Sequence, residues 1–381
     1  MFRLAYIVGQ LILGGAEQQL YYLLSGLDRS YFRPFVITLG SAPDEYWTRP
    51  IEELGVRVEH VRRLSSRALR VIRIVNILRS ENYHLVHSWS FHTNPYAALA
   101  GRLAGIPLRI GSMRENYELL TERYVRLLGY RGLDALIANS KSAASQVKQG
   151  GLTKASIRFV ANGVPIARAT TQADQHQLKL ELGLSRDHLV VGTIGRLDSN
   201  KNQAMLLRSI VPLVKKWPQM RVVIIGEGSL KSRLLSIAQD LGIAAKVSLP
   251  GNIPLAVRYL PAMDVCCMTS FTEGMPNLVM EAMAAGVPVI STCCGDTGDL
   301  IDHGVNGYLV TVDDVESMSR YLDLLLSNRD HRIEIGRAAE IKMRSEFTVQ
   351  QMVRRTTEVY RELLIQKRVA NECGSFDGCG R

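Results

Sequence analysis

No apolar run in the 381 residues reaches the roughly 18 that a membrane-spanning helix needs. The opening MFRLAYIVGQLILGGAEQQL has one early arginine and no A-x-A cleavage pattern, so residues 4–8 read as a buried first strand rather than part of a signal peptide. Of the six cysteines, four form the adjacent pairs Cys266/Cys267 and Cys293/Cys294, and Cys373 and Cys379 stand near the end. Neighbouring cysteines make no disulfide framework, and no CxxC pairs carry zinc spacing. A reducing, cytoplasmic setting is expected. Cys266 and Cys267, inside the apolar run DVCCM, read as small buried hydrophobes. Also missing are any repeat of solenoid length, a GxGxxG fingerprint, and any RNP motif, zinc finger or basic zipper.

What is present is an ordinary globular composition, 46% hydrophobic and 22% charged, with a net charge of +10. The length suits two domains. The positive charge favours an anionic partner, either a phosphate-bearing substrate or an anionic membrane surface, with nucleic acid the weakest candidate. Short β-rich runs alternate with amphipathic stretches throughout, the pattern of parallel sheets covered by helices. Strands are expected at 4–8, 34–39, 57–60, 85–87, 108–111, 135–138 and 157–160, then at 189–193, 222–225, 246–249, 264–268, 288–291 and 308–310. Helices are expected at 203–216, 230–241, 278–285, 315–326 and 349–367. A polar stretch at 167–177, without strand or core pattern, separates a Rossmann-like domain (1–166) from a second (167–348). A final helix (349–368) is read as returning to the first domain, and residues 369–381 as a loose tail. The fold class is α/β, with ligands expected at the strand C-terminal edges.

The most specific stretch is FTEGMPNLVMEAMAAGVP, residues 271–288, which follows a strand directly. Backbone amides of Asn277 and Leu278 at the start of the next helix suit a diphosphate. Glu281, one turn inside, can accept from ribose hydroxyls, and Glu273 on the loop would lie nearer a transferred sugar. Either carboxylate is equally at home as a plain helix N-terminal acid. Upstream, VGTIGRLDSNKNQAMLL sets Arg196 and Lys201 at one strand end, where two cations can grip a diphosphate and stabilise a departing nucleotide. Each alone also suits a solvated surface charge. In VVIIGEGSL, Gly226, Glu227 and Gly228 form a tight strand-end turn.

These segments resemble the EGxPNxxxEAxAxGxPV and GRLxxxKN patterns of the retaining GT-B glycosyltransferases of family GT4, over about residues 1–367. The resemblance implies two Rossmann-like domains facing each other across a cleft, and a nucleotide diphosphate sugar as donor. It implies that Glu273, Arg196 and Lys201 serve catalysis, that Gly226, Glu227 and Gly251 line the nucleoside pocket, and that Asn277, Leu278 and Glu281 hold the donor. It also places Gly15, in the GGAE loop at 14–17, against the donor diphosphate through its backbone, while Glu17 is either part of that closure or a first-turn helix acid. Where the family carries GG-x-x-E, this chain reads CCGDTGDLI, with Asp299 at the acidic position and Asp296 in place of a glycine.

The acceptor side is read from LVHSWSFHTN. His92, Asn94 and Trp89 suit a sugar pocket, His87 suits a satisfied core position, and histidines five apart do not share a helix face for a metal. The family's T-x-H loop is replaced by GSMRENYE, which resembles an S-x-R-N variant seen within the family and offers Arg114 and Asn116. No DxD motif stands where a metal would bridge the donor, so a metal-independent transfer to a glycan or lipid-linked acceptor, in bacterial surface polysaccharide or glycoconjugate synthesis, is the expected function. No cofactor and no metal are expected. A nucleotide-sugar epimerase of the same plan and a non-catalytic nucleotide-sugar-binding protein are the alternatives; a nicotinamide dehydrogenase lacks its fingerprint. Finally, RRLSSRALRVIRIVNILR, residues 62–79, reads as a helix with Arg67, Arg70 and Arg73 on one stripe, Ile72, Val75 and Leu78 on another, and Arg62, Arg63 and Arg79 near its ends. The basic stripe either faces water or rests on anionic lipid at the inner face of the membrane.

Overall fold

The computed structural model describes residues 1–40, 45–61, 66–114, 130–149, 153–166 and 171–367. Contacts divide the chain into two units, Met1–Gly163 together with the segment from Val349 onward, and Val164–Thr348. The first unit runs β1 (Phe2–Val8), α1 (Gly15–Gly26), β2 (Phe32–Thr38), α2 (Thr48–Glu53), β3 (Val58–His60), α3 (Arg67–Ser80), β4 (Leu85–Ser88), α4 (Asn94–Leu103), β5 (Leu108–Met113), β6 (Ala135–Ala138), α5 (Lys141–Gln149) and β7 (Ser156–Phe159). Its parallel sheet has the order β3-β2-β1-β4-β5-β6-β7. β1 shows why the strand runs are nearly all apolar. Leu4, Tyr6 and Val8 point into one core with α1, and Ala5 and Ile7 into a second core with α3 and α4. A strand covered on both faces must be hydrophobic at both parities.

The second unit runs α6 (Gln172–Glu181), β8 (Leu189–Ile194), α7 (Gln203–Ile210), β9 (Met220–Ile225), α8 (Lys231–Asp240), β10 (Val247–Gly251), β11 (Val265–Met268), α9 (Asn277–Ala284), β12 (Val289–Thr292), α10 (Thr297–Leu300), β13 (Tyr308–Val310), α11 (Val315–Ser327) and α12 (Arg329–Glu346). The sheet order β10-β9-β8-β11-β12-β13 is parallel throughout. The chain winds outward from β8 in one direction and then from β11 in the other. Loops after β8 and β11 therefore part at the switch point, the usual ligand crevice of such sheets.

Every expected strand is present, with ends shifted by one or two residues. The helices need more correction. α7 stops at Ile210 instead of reaching residue 216, because Pro212 turns the chain into a 3₁₀ segment, Val211–Leu213. The polar stretch at 167–177 is not all linker. Thr171 caps α6 through a capping box with Asp174. α12, capped by Asn328 accepting from the amide of His331 at 3.0 Å, was not among the expected helices. A last helix, α13 (Val349–Gln366), belongs to the first unit. It packs on α1, and Met352, Val353, Tyr360, Leu363 and Leu364 join that unit's core.

α3 also departs from its expected faces. Ile74, Val75, Ile77 and Leu78 turn inward, whereas Ile72, read as part of the apolar stripe, is 55% exposed. The arginine stripe is not a free row. Arg70 donates to Tyr96 Oη at 3.1 Å and Arg73 pairs with Glu59 at 3.1 Å, while Arg67 stays exposed. Arg62 and Arg63 lie outside the described residues.

Candidate active site

The loops after β8 and β11 are stitched together by Asn200. Its Nδ2 donates to the Thr272 carbonyl at 2.9 Å, its Oδ1 accepts from the Thr272 amide at 3.1 Å, and its own carbonyl accepts from the Phe271 amide at 2.8 Å. Thr269 Oγ1 adds a bond to the Lys201 carbonyl at 2.8 Å. One side of this seam is a 3₁₀ turn, Ser199–Lys201, capped by Asp198, and then Asn202 in the left-handed region (φ 45°) to start α7. The result places Lys201 Nζ 2.5 Å from Glu273 Oε1, which also accepts from Ser270 Oγ at 2.6 Å. The pair is mostly shielded, with side chains 26% and 14% exposed, so it is held far more firmly than a surface ion pair. Arg196, 80% exposed, stands apart and, among the described residues, pairs with Asp198 alone at 3.4 Å. The structure thus joins two of the three residues assigned to catalysis and leaves the third extended into solvent.

The β9 turn lies directly against this seam. Gly226 has φ 149°, and a Cβ there would sit 1.9 Å from the Gly195 carbonyl oxygen, so no side chain fits. The approach lets the Leu197 amide bond the Glu227 carbonyl at 2.9 Å. Glu227 pairs with Lys231 at 2.7 Å, and its carboxylate lies over Gly251, at the end of β10. The loop after β12 closes on the other side. A Cβ on Gly295 (φ 56°) would meet the Glu273 carbonyl oxygen at 2.0 Å, and the Asp296 amide bonds the Gly274 carbonyl at 3.0 Å. Asp299 lies on α10, one turn further on.

α9 begins at Asn277, where helix amides and dipole favour an anion. Val279, Met280, Ala282 and Met283 are buried, which leaves Asn277, Leu278 and Glu281 half-exposed on the remaining face. Glu281 lies close enough to Cys266 that, after burial itself, its charge helps push that thiol up to about 12. Cys266 and Cys267 are free, fully buried and held as thiols, packing residues rather than nucleophiles.

In the first unit, Gly14 caps α1 and Gly15 is its first residue, with Glu17 in the first turn. The acceptor-side candidates separate sharply. His92 is exposed, its ring 3.7 Å from that of Phe91. Asn94 is fully buried, donating to the Ser112 carbonyl and accepting from the Ser112 amide, both at 3.0 Å, and from Ser88 Oγ at 2.6 Å. It clamps β4 to β5 from a fully buried position, with its carbonyl oxygen and one amide hydrogen engaged there. Trp89 is also held in place. It is 3% exposed, its Nε1 donates to the Ala16 carbonyl at 2.7 Å, and Arg114 covers its ring at 3.6 Å. His87 is a satisfied core residue between Tyr360 Oη (2.6 Å) and Ser112 Oγ (2.9 Å). Arg114 remains at the sheet edge, and Asn116 lies outside the described residues. A hollow of about 290 Å³ beside Arg3, Arg33 and Arg57 opens at the opposite edge of this sheet.

Sequence reading missed Asn200, although it sits inside the quoted GRLDSNKN segment, because a side chain that ties two loops leaves no periodic trace. Tyr360 escaped for a similar reason. It lies 273 residues from the histidine that it bonds.

Two family descriptions match the chain. "Glycosyltransferase Family 4" covers residues 13–168, and "Glycosyl transferases group 1" covers residues 174–342. Among curated relatives, the lipopolysaccharide core biosynthesis glycosyltransferase LpsE of Rhizobium meliloti is 25% identical across 93% of this chain and 96% of its own. A Campylobacter jejuni alpha-1,4-N-acetyl-D-galactosaminyltransferase, named for a diphosphoundecaprenol-linked substrate, is 26% identical across 88% and 92%. Anabaena HepE, solved with UDP-glucose, superposes with a TM-score of 0.84 at 21% identity, covering 95% of this chain and 100% of that one. The fold is GT-B, and the chain belongs to the family 4, group 1 glycosyltransferases.

Proposed function

We propose, from that membership, that this enzyme moves a sugar from a nucleotide diphosphate sugar to a glycan or lipid-linked acceptor, with retention at the anomeric carbon and without a metal. The observation that carries the reading is the Lys201–Glu273 pair, fixed at 2.5 Å where the loops after β8 and β11 part. When the bond between the anomeric carbon and the diphosphate oxygen breaks, positive charge grows on the sugar and negative charge on the leaving group. Lys201, the extended Arg196 and the amides opening α9 meet the second charge, and Glu273 lies beside the first. Glu281 binds the ribose, with Gly226, Glu227 and Gly251 along the nucleoside. Fixed cations and helix amides make a bridging metal unnecessary. Retention is supported by membership of the family. The diphosphate-linked and polysaccharide substrates named for relatives support an acceptor in surface polysaccharide or glycoconjugate synthesis.

The direct test follows donor and acceptor by NMR in excess EDTA. An α-donor should yield an α-linked product at an undiminished rate. Loss of activity restored by magnesium or manganese overturns metal independence, and an inverted product overturns retention. Conversion of the donor to an epimeric nucleotide sugar without acceptor would make the chain an epimerase instead.

Peripheral membrane contact belongs to the same proposal, on a surface different from the arginine stripe alone. α3 and α4 lie side by side, joined by the Arg70–Tyr96 bond and by Arg79 donating to the Leu103 carbonyl at 2.7 Å. Leu69, Ile72, Leu99 and Leu103 are 48–55% exposed on them, beside exposed Arg67 and Arg102. Residues 61–80 and 91–114 contain no Asp or Glu. Exposed apolar side chains next to exposed arginines suit an anionic lipid surface. Among the described residues no helix is long and apolar enough to cross a membrane.

A further inference from the structure

Five segments of the first unit bring polar or aromatic side chains to one place at the C-terminal edge of its sheet. Trp89 follows β4, Arg114 follows β5, Asn139 follows β6, Asn162 follows β7, and Glu17 stands at the start of α1 after β1. Arg114 is the centre of the group. Its guanidinium carbon lies 3.6 Å from the centroid of the Trp89 ring, and the indole is itself fixed by its bond to Ala16. Nη1 donates to Asn162 Oδ1 at 3.2 Å, and Asn139 Nδ2 donates to the same oxygen at 3.3 Å.

That arrangement uses one corner of the guanidinium and leaves an edge. Nε is buried with no hydrogen-bond partner, and Nη2 has none among the described residues. The Nε and Nη2 hydrogens lie parallel on one side of a planar fork, the geometry that receives two oxygens of one phosphate. A buried unpaired donor requires a cause, and a missing acceptor ligand is one. The charge points the same way. Arg114 forms no ion pair among the described residues, with Glu17 acting on it only through space, and burial draws it down to about 10. A desolvated cation with no carboxylate in contact is unfavourable until an anion arrives.

We infer that Arg114, stacked on Trp89 and braced by Asn162, is an anion receptor that binds a phosphate or diphosphate group of the acceptor. The inference deepens the proposed function and rests on the reading that the first unit takes the acceptor. It adds a substrate class, a phosphate-linked acceptor rather than a neutral glycan.

The chain has three tryptophans, Trp47, Trp89 and Trp217, so the W47F/W217F protein reports on Trp89 alone. Titrating it with inorganic pyrophosphate should give a saturable change in emission. Arg114→Gln should weaken that response at least tenfold, and Lys201→Ala, which alters the proposed donor site, should leave it unchanged. Arg114→Lys keeps the charge without the fork, and should bind several-fold more weakly with a cooperative melt, which covers the case in which the glutamine variant fails to fold. In kinetics, Arg114→Gln should raise KM at least tenfold for an isoprenyl diphosphate-linked sugar. KM for the same sugar as an alkyl glycoside, and KM for the donor, should stay within twofold. A pyrophosphate response lost in Lys201→Ala but kept in Arg114→Gln would overturn the inference and leave the donor site standing. Equal effects on both acceptors would make Arg114 a packing residue and overturn it as well. Pyrophosphate binding without any preference for the diphosphate-linked acceptor would assign the site to a free anion, against the inference.

Discussion

His87 is fully buried, with both ring nitrogens engaged by hydroxyls of Tyr360 and Ser112. Burial, and then the charge of Arg114, holds its pKa well below the ordinary 6.5. The unfolded chain therefore binds a proton that the folded chain refuses, and stability falls as pH drops below about 6.5, by up to about 1.4 kcal/mol per pH unit from this group. Urea unfolding at pH 7.5 and 5.5 should show that loss, and His87→Gln should lower stability at the higher pH while flattening the dependence. An unchanged pH slope in the variant would remove His87 as its source. Gly226 gives a second residue-scale prediction. Gly226→Ala forces a Cβ against the Gly195 carbonyl and should destabilise by several kcal/mol, whereas Gly242→Ala, at φ 69° in open space, should cost only about 1–2 kcal/mol. Comparable midpoints for the two variants would contradict the close approach. At this scale the sequence was readable where identity alone implies position. Glu273 and Lys201 arrive at the seam because their spacing from strand ends fixes them. The burial of Asn94 and Trp89 was not legible, because a residue just past a strand can turn into the core or out to a ligand, and no pattern in SWSFHTN distinguishes the two.

Among the elements, strands were legible because both parities are apolar, while helices were legible only where amphipathic periodicity or a cap stood out. α12 escaped because its inward residues, Ile335, Ala339 and Met343, are sparse in an otherwise charged run. α3 shows the same limit in its orientation. Periodicity put Ile72 with Val75 and Leu78, but the neighbouring α4 draws the buried face round to Ile74 and Ile77 and leaves Ile72 outward. That rotation decides which residues would meet a lipid surface. Co-sedimentation with phosphatidylglycerol-containing vesicles should exceed that with phosphatidylcholine alone and fade with salt. Leu69→Ser with Ile72→Ser should reduce it at least fivefold, as should Arg67→Glu with Arg102→Glu. Binding indifferent to lipid charge, or to both double variants, would leave α3 and α4 as ordinary solvent-facing helices.

For the whole molecule, two Rossmann-like units, the second inserted before the closing helix of the first, account for 381 residues with a net charge of +10. The division of labour assigned here is donor to the second unit and acceptor to the first. α13 was legible as a helix but its bonding was not, since contacts between residues hundreds of positions apart leave no local signature. The central claim is that the second unit holds a nucleotide diphosphate sugar through Lys201 and Glu281. A panel of nucleotide sugars screened by thermal shift identifies the donor, since a ligand at a hundred times its Kd stabilises by about 2.7 kcal/mol. The decisive measurement is that donor's Kd by calorimetry for the full chain and for Lys201→Ala and Glu281→Ala. Loss of a charge-assisted hydrogen bond is worth about 1.5–3 kcal/mol, so each variant should bind roughly 10- to 150-fold more weakly while melting within a few degrees of the unaltered chain. A Kd within twofold of the unaltered chain in both variants would contradict the assignment of the donor to this site.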